Sequence, residues 1–168
     1  FPYTTLFRSV DPPELIRFIM KHYRYVERHR PERTMWQLIE WKMMPPTRLV
    51  RYCCEELKEG RGVGRLVMTG IRWEESNKRR QRKMVESCTR GKNTHYLHPI
   101  IDWSSDDVWE YIRSNNLLYP SLYDEGFTRI GCVGCPMSDK KRIIEFQRWP
   151  QYKAKYIRAM QKAIEHRR

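Results

Sequence analysis

Apolar residues recur at three- and four-residue spacing through several stretches of this chain, and cap or breaker residues bracket each stretch. Leu15, Ile16, Phe18, Ile19, Tyr23 and Val26 follow Asp11-Pro12-Pro13-Glu14. That start supplies an acidic N-cap, prolines in the first turn and an acid near the positive end of the dipole, and it predicts a helix to about His29. Thr34 is placed to cap a second helix carrying Met35, Leu38, Ile39 and Met43, stopped by Pro45-Pro46. Thr47 caps a third, from Arg48 to about Glu59, ended by Gly60. Ser104-Ser105-Asp106-Asp107 opens another helix whose inner face is Val108, Trp109, Tyr111 and Ile112. Arg142 to Phe146 and Tyr152 to about His166 close the chain as helices.

Two short apolar runs have a different character. Arg65-Leu66-Val67-Met68-Thr69-Gly70 is compact and ends on glycine, which predicts a buried parallel strand. The stretch from Thr94 to Ile101, centred on His95-Tyr96-Leu97-His98-Pro99-Ile100, predicts a second. Glu74 to about Met84 is polar and basic and reads as a helix or an ordered loop. Helices separating short apolar strands make an α/β sheet, and two strands are too few to complete one.

Phe1 to about Ser9 does not share this pattern. It is expected to be a leader, foreign to the natural gene or disordered, with a short edge strand as the alternative; residues 10–168 then form one domain. At 168 residues the chain can bury a real core. A formal charge of +13 implies polyanionic company: a nucleotide, sulfate or phosphate esters, or nucleic acid. No apolar run approaches the ~18 residues of a membrane helix, so no membrane partner is expected. Five cysteines, an odd number and clustered, argue against a secreted disulfide scaffold and for a reducing cytoplasm.

Four of those cysteines sit at two places. Cys53-Cys54 falls on the third helix, and Cys132 and Cys135 belong to Gly131-Cys132-Val133-Gly134-Cys135-Pro136. The glycines of that loop let backbone N–H groups approach sulfur, and Pro136 turns the chain away. Thiolates select Fe–S clusters, zinc or Cu(I). Adjacent helical residues diverge by roughly 100°, so neighbouring thiolates reach different corners of a [4Fe–4S] cubane more easily than one small ion. The cluster is favoured, and zinc and a redox dithiol stay open. Cys88, without partner spacing, reads as an ordinary residue.

Thr69-Gly70-Ile71-Arg72-Trp73-Glu74-Glu75-Ser76-Asn77-Lys78-Arg79 leaves the C-terminal end of the first strand, where open α/β sheets bind ligands. Arg72 and Arg79 offer planar donor forks for phosphate or sulfate, Ser76 adds a hydroxyl, and Glu75 can orient an arginine. Lys58 lies one turn after Cys54, within reach of a cluster's negative charge or a bound anion.

Arg51-Tyr52-Cys53-Cys54 with Lys58, Thr69-Gly70-Ile71-Arg72 with Glu75, Ser76 and Arg79, Pro99-Ile100-Ile101-Asp102-Trp103 with Val108-Trp109, and Gly131-Cys132 with Cys135-Pro136 occur in that order. The ordered set resembles the phosphoadenosine-phosphosulfate (PAPS) and adenosine-phosphosulfate (APS) reductase family, of the PP-loop adenine-nucleotide α-hydrolase-like superfamily, over roughly residues 10 to 165. The resemblance implies a partial doubly wound, Rossmann-like parallel sheet flanked by helices, with a helical C-terminal part. It implies [4Fe–4S] on Cys53, Cys54, Cys132 and Cys135, and a sulfonucleotide lined by Lys58, Arg72, Ser76 and Arg79. An adenine nucleotide or sulfonucleotide and a reducing protein such as thioredoxin are the implied partners. Sulfur transfer to nucleic acid, or a zinc module binding nucleic acid, are the alternatives. Two family features are missing: no Ser-Gly pair occurs to make the phosphate loop, and no cysteine follows Cys135 to act as nucleophile. The domain is therefore expected to be N-terminally truncated, and no catalytic residue is nominated.

Overall fold

In the computed structural model of the chain, Thr34 caps a helix as its position predicts. Its hydroxyl accepts the Gln37 N–H at 3.3 Å while the Gln37 side chain accepts the Thr34 N–H at 2.8 Å. The structure describes residues 4–6, 8–58, 64–87, 94–138 and 141–166. Cys88 and the expected helix end at Gly60 lie outside them. The chain divides into two compact units, Phe1–Glu59 with Pro120–Arg168, and Gly60–Tyr119.

In the first unit, β1 (Thr4–Leu6) pairs in parallel with β2 (Glu27–His29). The edge-strand alternative thus describes residues 4–6 of the expected leader. Helix α1 (Pro13–His22) lies between the strands. It is shorter than the expected run to His29, because the chain turns at Tyr23–Val26 and the following residues spend their backbone hydrogen bonds on β1. Asp11 does not cap it. Its buried carboxylate accepts the Arg8 N–H at 2.5 Å and pairs with the Arg8 guanidinium at 2.8 Å, leaving Pro12 at the cap. Helix α2 (Met35–Lys42) ends where Met43 takes a left-handed φ of 53°. Helix α3 (Tyr52–Leu57) starts later than expected, since Thr47 closes a turn with Val50 instead of capping. A 3-10 turn at Ser121–Tyr123 precedes the Cys132–Cys135 loop, and α6 (Lys141–Arg148) and α7 (Pro150–Glu165) follow it.

The core of this unit lies between α2, α3 and α7. Met35, Leu38 and Ile39 of α2 meet Tyr156, Ala159 and Ala163 of α7, with Tyr52, Cys53 and Leu57 of α3 closing the cluster. Each fully buried Leu or Ile contributes about 1.5–3 kcal/mol. The alanines let α2 approach α7 closely. A second cluster, Leu122, Val133, Trp149 and Tyr152, seats the Cys132–Cys135 loop against the start of α7.

The second unit is a three-stranded sheet in the order β3 (Leu66–Met68), β5 (His95–Leu97), β4 (Val85–Ser87). β3 and β5 are parallel, as the sequence predicts, and β4 joins antiparallel within a stretch where no strand was expected. β3 is not buried: Leu66 and Met68 are 53% and 56% exposed at the sheet edge. The short helix α4 (Asn77–Arg80) and α5 (Ser105–Ser114) complete the unit. Ser104 caps α5 by accepting the Asp107 N–H at 3.1 Å. Tyr111, expected on the inner face of α5, is 50% exposed and stacks at an angle on Trp103.

Candidate functional site

Helix α3 carries Cys53 and Cys54 into the wall of a cavity of about 750 Å³, and the loop after Ile130 brings Cys132 and Cys135 to the same cavity. Lys58, at the C-cap of α3, lines it too. Two sequence-distant pairs therefore meet within one unit. None of the four is in a disulfide.

The loop geometry explains the spacing. Cys135 N–H donates to the Cys132 carbonyl at 3.2 Å and Ser138 N–H to that of Cys135 at 2.9 Å, which winds the chain into successive turns. Gly134 supplies a φ of 75°. It also lies directly under Phe146 and Tyr156, where a Cβ would stand 2.6–2.8 Å from the ring carbons. Glu145 of α6 accepts the Gly134 N–H at 2.8 Å and the Ser138 hydroxyl at 2.9 Å. Tyr156 donates to the Val133 carbonyl at 3.2 Å, and Val133 N–H donates to Val10 at 2.8 Å. Sequence reasoning did not single out Glu145 or Tyr156. The available signal was Glu145 as the lone acid in the basic stretch Lys140–Arg148.

Guanidinium groups reach two of the sulfurs. Arg51 donates to Cys54 Sγ at 3.2 Å and Arg8 to Cys132 Sγ at 3.2 Å. The Cys53 thiol is pushed up by its hydrogen bond with Cys54, by burial and by the neighbouring thiols. Cys132 is pushed up to about 11 by burial, against the opposing charge of Arg8. Protein cations alone thus leave at least two thiols protonated, and a metal would have to displace those protons. Among the described residues no three His, Cys, Asp or Glu side chains converge closely enough to hold a single metal ion.

The other expected site residues belong to the second unit. Arg72, at the end of the turn from β3, pairs with Glu74 at 2.8 Å and donates to Ser105 Oγ at 3.3 Å, while Ser105 donates to Glu74. Arg79 pairs with Glu75. Ser76 spends its hydroxyl on the Arg79 N–H at 3.3 Å, capping α4. Arg72, Ser76 and Arg79 are thus held on one segment by short-range pairs, and an incoming anion must compete with a carboxylate for each guanidinium. Ser105 comes from the start of α5, which sequence reasoning used only as a cap, and Glu74 from the turn Trp73–Glu75.

No helix among the described residues is long and apolar enough to cross a membrane. Comparison with known proteins adds the family. The chain is 34% identical over 100 residues to an adenosine 5'-phosphosulfate reductase of Oceanobacillus iheyensis, an alignment covering 56% of this chain and 39% of that protein. It is 43% identical over 68 residues to an adenosine 5'-phosphosulfate reductase of Neisseria meningitidis, covering 40% and 28%. An uncharacterized protein of Methanocaldococcus jannaschii, MJ0973, is 36% identical over 111 residues, covering 62% and 27%. The chain thus spans well under half the length of these relatives. In fold it is similar to the phosphoadenylyl-sulfate (PAPS) reductase of Candida auris, with a TM-score of 0.55 at 18% identity over 77% of this chain and 68% of that one. An FMN adenylyltransferase of Candida glabrata follows at 0.51, 20% identity, 77% and 40%. These neighbours share a mixed α/β fold with the chain. The family model for the phosphoadenosine phosphosulfate reductase domain matches residues 9–138, most of the chain, and the chain belongs to that family.

Proposed function

We propose that this chain is the thiol-bearing part of an APS/PAPS-reductase-like enzyme that acts on an adenine sulfonucleotide, in sulfonucleotide reduction or sulfur transfer. The observation that carries the reading is the convergence of Cys53, Cys54, Cys132 and Cys135 on one cavity from two distant stretches. These four residues would hold a [4Fe–4S] cluster, with Lys58 beside it and Arg51 compensating charge at Cys54. When bound, such a cluster supplies a fixed charge and a structural tie between α3 and the loop. The strand-end segment would take the nucleotide's anionic group on Arg72 and Arg79, with Ser76 adjacent; the adenine-nucleotide relatives support that assignment by fold and family. None of the four cysteines is assigned as nucleophile, since a thiolate held by a metal shares with it the lone pair that an attack would need. A reducing protein such as thioredoxin would return the enzyme to its working state.

Anaerobic reconstitution with iron and sulfide tests the cluster. The expected product is a brown protein with about four irons per chain, whose colour is lost in Cys53→Ser and Cys135→Ser while far-UV circular dichroism shows helices retained. A colourless protein holding one zinc per chain overturns the cluster and leaves the family and fold untouched.

A further inference from the structure

The thiol cavity carries more positive charge than its sulfurs use. Arg8 and Arg51 each donate to a thiol. Lys58, Arg129 and Lys141 also line the cavity, are exposed, and have no carboxylate partner among the described residues. Among the described residues of the lining the one acid, Glu145, is occupied by Gly134 and Ser138. Lys141 Nζ donates to Thr128 Oγ1 at 2.8 Å, which draws its ammonium alongside the backbone that carries Arg129. Met137, half exposed, adds an apolar surface to the same wall.

We propose that this wall is a phosphodiester-binding rim and that its partner is a nucleic acid strand. This goes beyond the sulfonucleotide reading, which places its anion on Arg72 and Arg79. A small sulfonucleotide concentrates its charge in one group and is held by enclosed donors. Here the cations are exposed and stand on three separate elements: the end of α3, the loop before Cys132, and the start of α6. Separate exposed cations suit successive phosphates, which position a strand without reading its sequence. Each contact releases a counterion and adds to affinity in a salt-dependent way. The chain's charge of +13 supplies the long-range attraction, and Met137 offers an apolar surface to an unstacked base.

Fluorescence anisotropy of the whole chain with a labelled mixed-sequence oligonucleotide, single-stranded and as duplex, over a series of KCl concentrations tests this. The expected result is salt-dependent binding that the double variant Arg129→Gln/Lys141→Gln weakens by about tenfold or more, lowering the log–log salt slope by about two. Lys153→Gln/Lys155→Gln on α7 is the charge-matched comparison. Equal losses in both pairs reduce the effect to general electrostatics and overturn the rim. So does the absence of oligonucleotide binding, or displacement of the oligonucleotide by adenosine monophosphate or inorganic sulfate at concentrations comparable to its own. Iron content measured in parallel separates the two readings: unchanged iron with lost oligonucleotide binding locates the effect in the rim and leaves the cluster standing.

Discussion

The Glu145 carboxylate accepts the Gly134 N–H at 2.8 Å and so ties the turn between Cys132 and Cys135 to helix α6. Its other oxygen takes the Ser138 hydroxyl, so both ends of the loop hang from one side chain. Glu145→Ala leaves a buried N–H and a part-buried hydroxyl without their acceptor, a loss of about 1–3 kcal/mol. Glu145→Gln keeps one acceptor oxygen and is expected to retain more than half of that. Urea unfolding of the metal-free chain measures both. Equal stability in wild type and Glu145→Ala would show that the loop is held without this carboxylate.

Gly134 is constrained twice over. A side chain there must adopt a φ of 75° and place its Cβ 2.6–2.8 Å from Phe146 and Tyr156. Gly134→Ala therefore strains the backbone and forces two packed rings to shift, at a cost of about 2–4 kcal/mol from strain and overpacking combined. The rings belong to α6 and α7, so the loss should appear as a lower unfolding midpoint and as poorer iron retention after reconstitution. Gly131 has open space around its Cβ position and no positive φ, which makes Gly131→Ala the matched comparison, expected to be nearly silent.

Ser104 is the clearest local determinant in the second unit. It accepts the Asp107 N–H at 3.1 Å and Asp107 returns the favour to the Ser104 N–H at 2.7 Å. Ser104→Ala removes half of this reciprocal cap and should lower stability by about 1 kcal/mol. Ser104→Asp should hold within a few tenths of wild type, because a carboxylate at the N-cap serves the same donor and the helix dipole.

These elements were legible because their signals are local. Thr34 and Ser104 each stand three residues before a side chain that completes the cap, and the cysteine pairs announce themselves by spacing. β2 and β4 were not legible: Glu27–His29 and Val85–Ser87 are three residues long, polar or mixed, and become strands only through the strands they pair with. The same holds for the site. Arg72 and Arg79 stand out as anion donors in the sequence, but their pairing with Glu74 and Glu75 depends on the backbone turn at Trp73–Glu75. Glu145 stands out in the sequence only as a lone acid among bases, and its acceptor role at Gly134 and Ser138 exists only once α6 folds back on the loop.

His98 makes the second unit sensitive to acid. It is 1% exposed, its Nδ1 lies 2.7 Å from Thr69 Oγ1, and its Nε2 has no partner among the described residues. Tyr96 stacks on the ring, and Arg82 and Glu86 are the charges that face it. Burial lowers its pKa below the ordinary histidine value, the Arg82 charge adds to that, and Glu86 opposes it. The unfolded chain therefore takes up this proton at a higher pH than the folded chain does. The stability that His98 contributes is complete above about pH 6.5 and is lost as the pH falls from there through the lower folded value. His98→Asn keeps an acceptor for Thr69 without a titrating ring. Its stability is expected to be lower than wild type at neutral pH and to decline less steeply on acidification, as read from urea midpoints between about pH 5 and 8. Parallel curves for the two proteins would show that the acid sensitivity of this unit arises elsewhere.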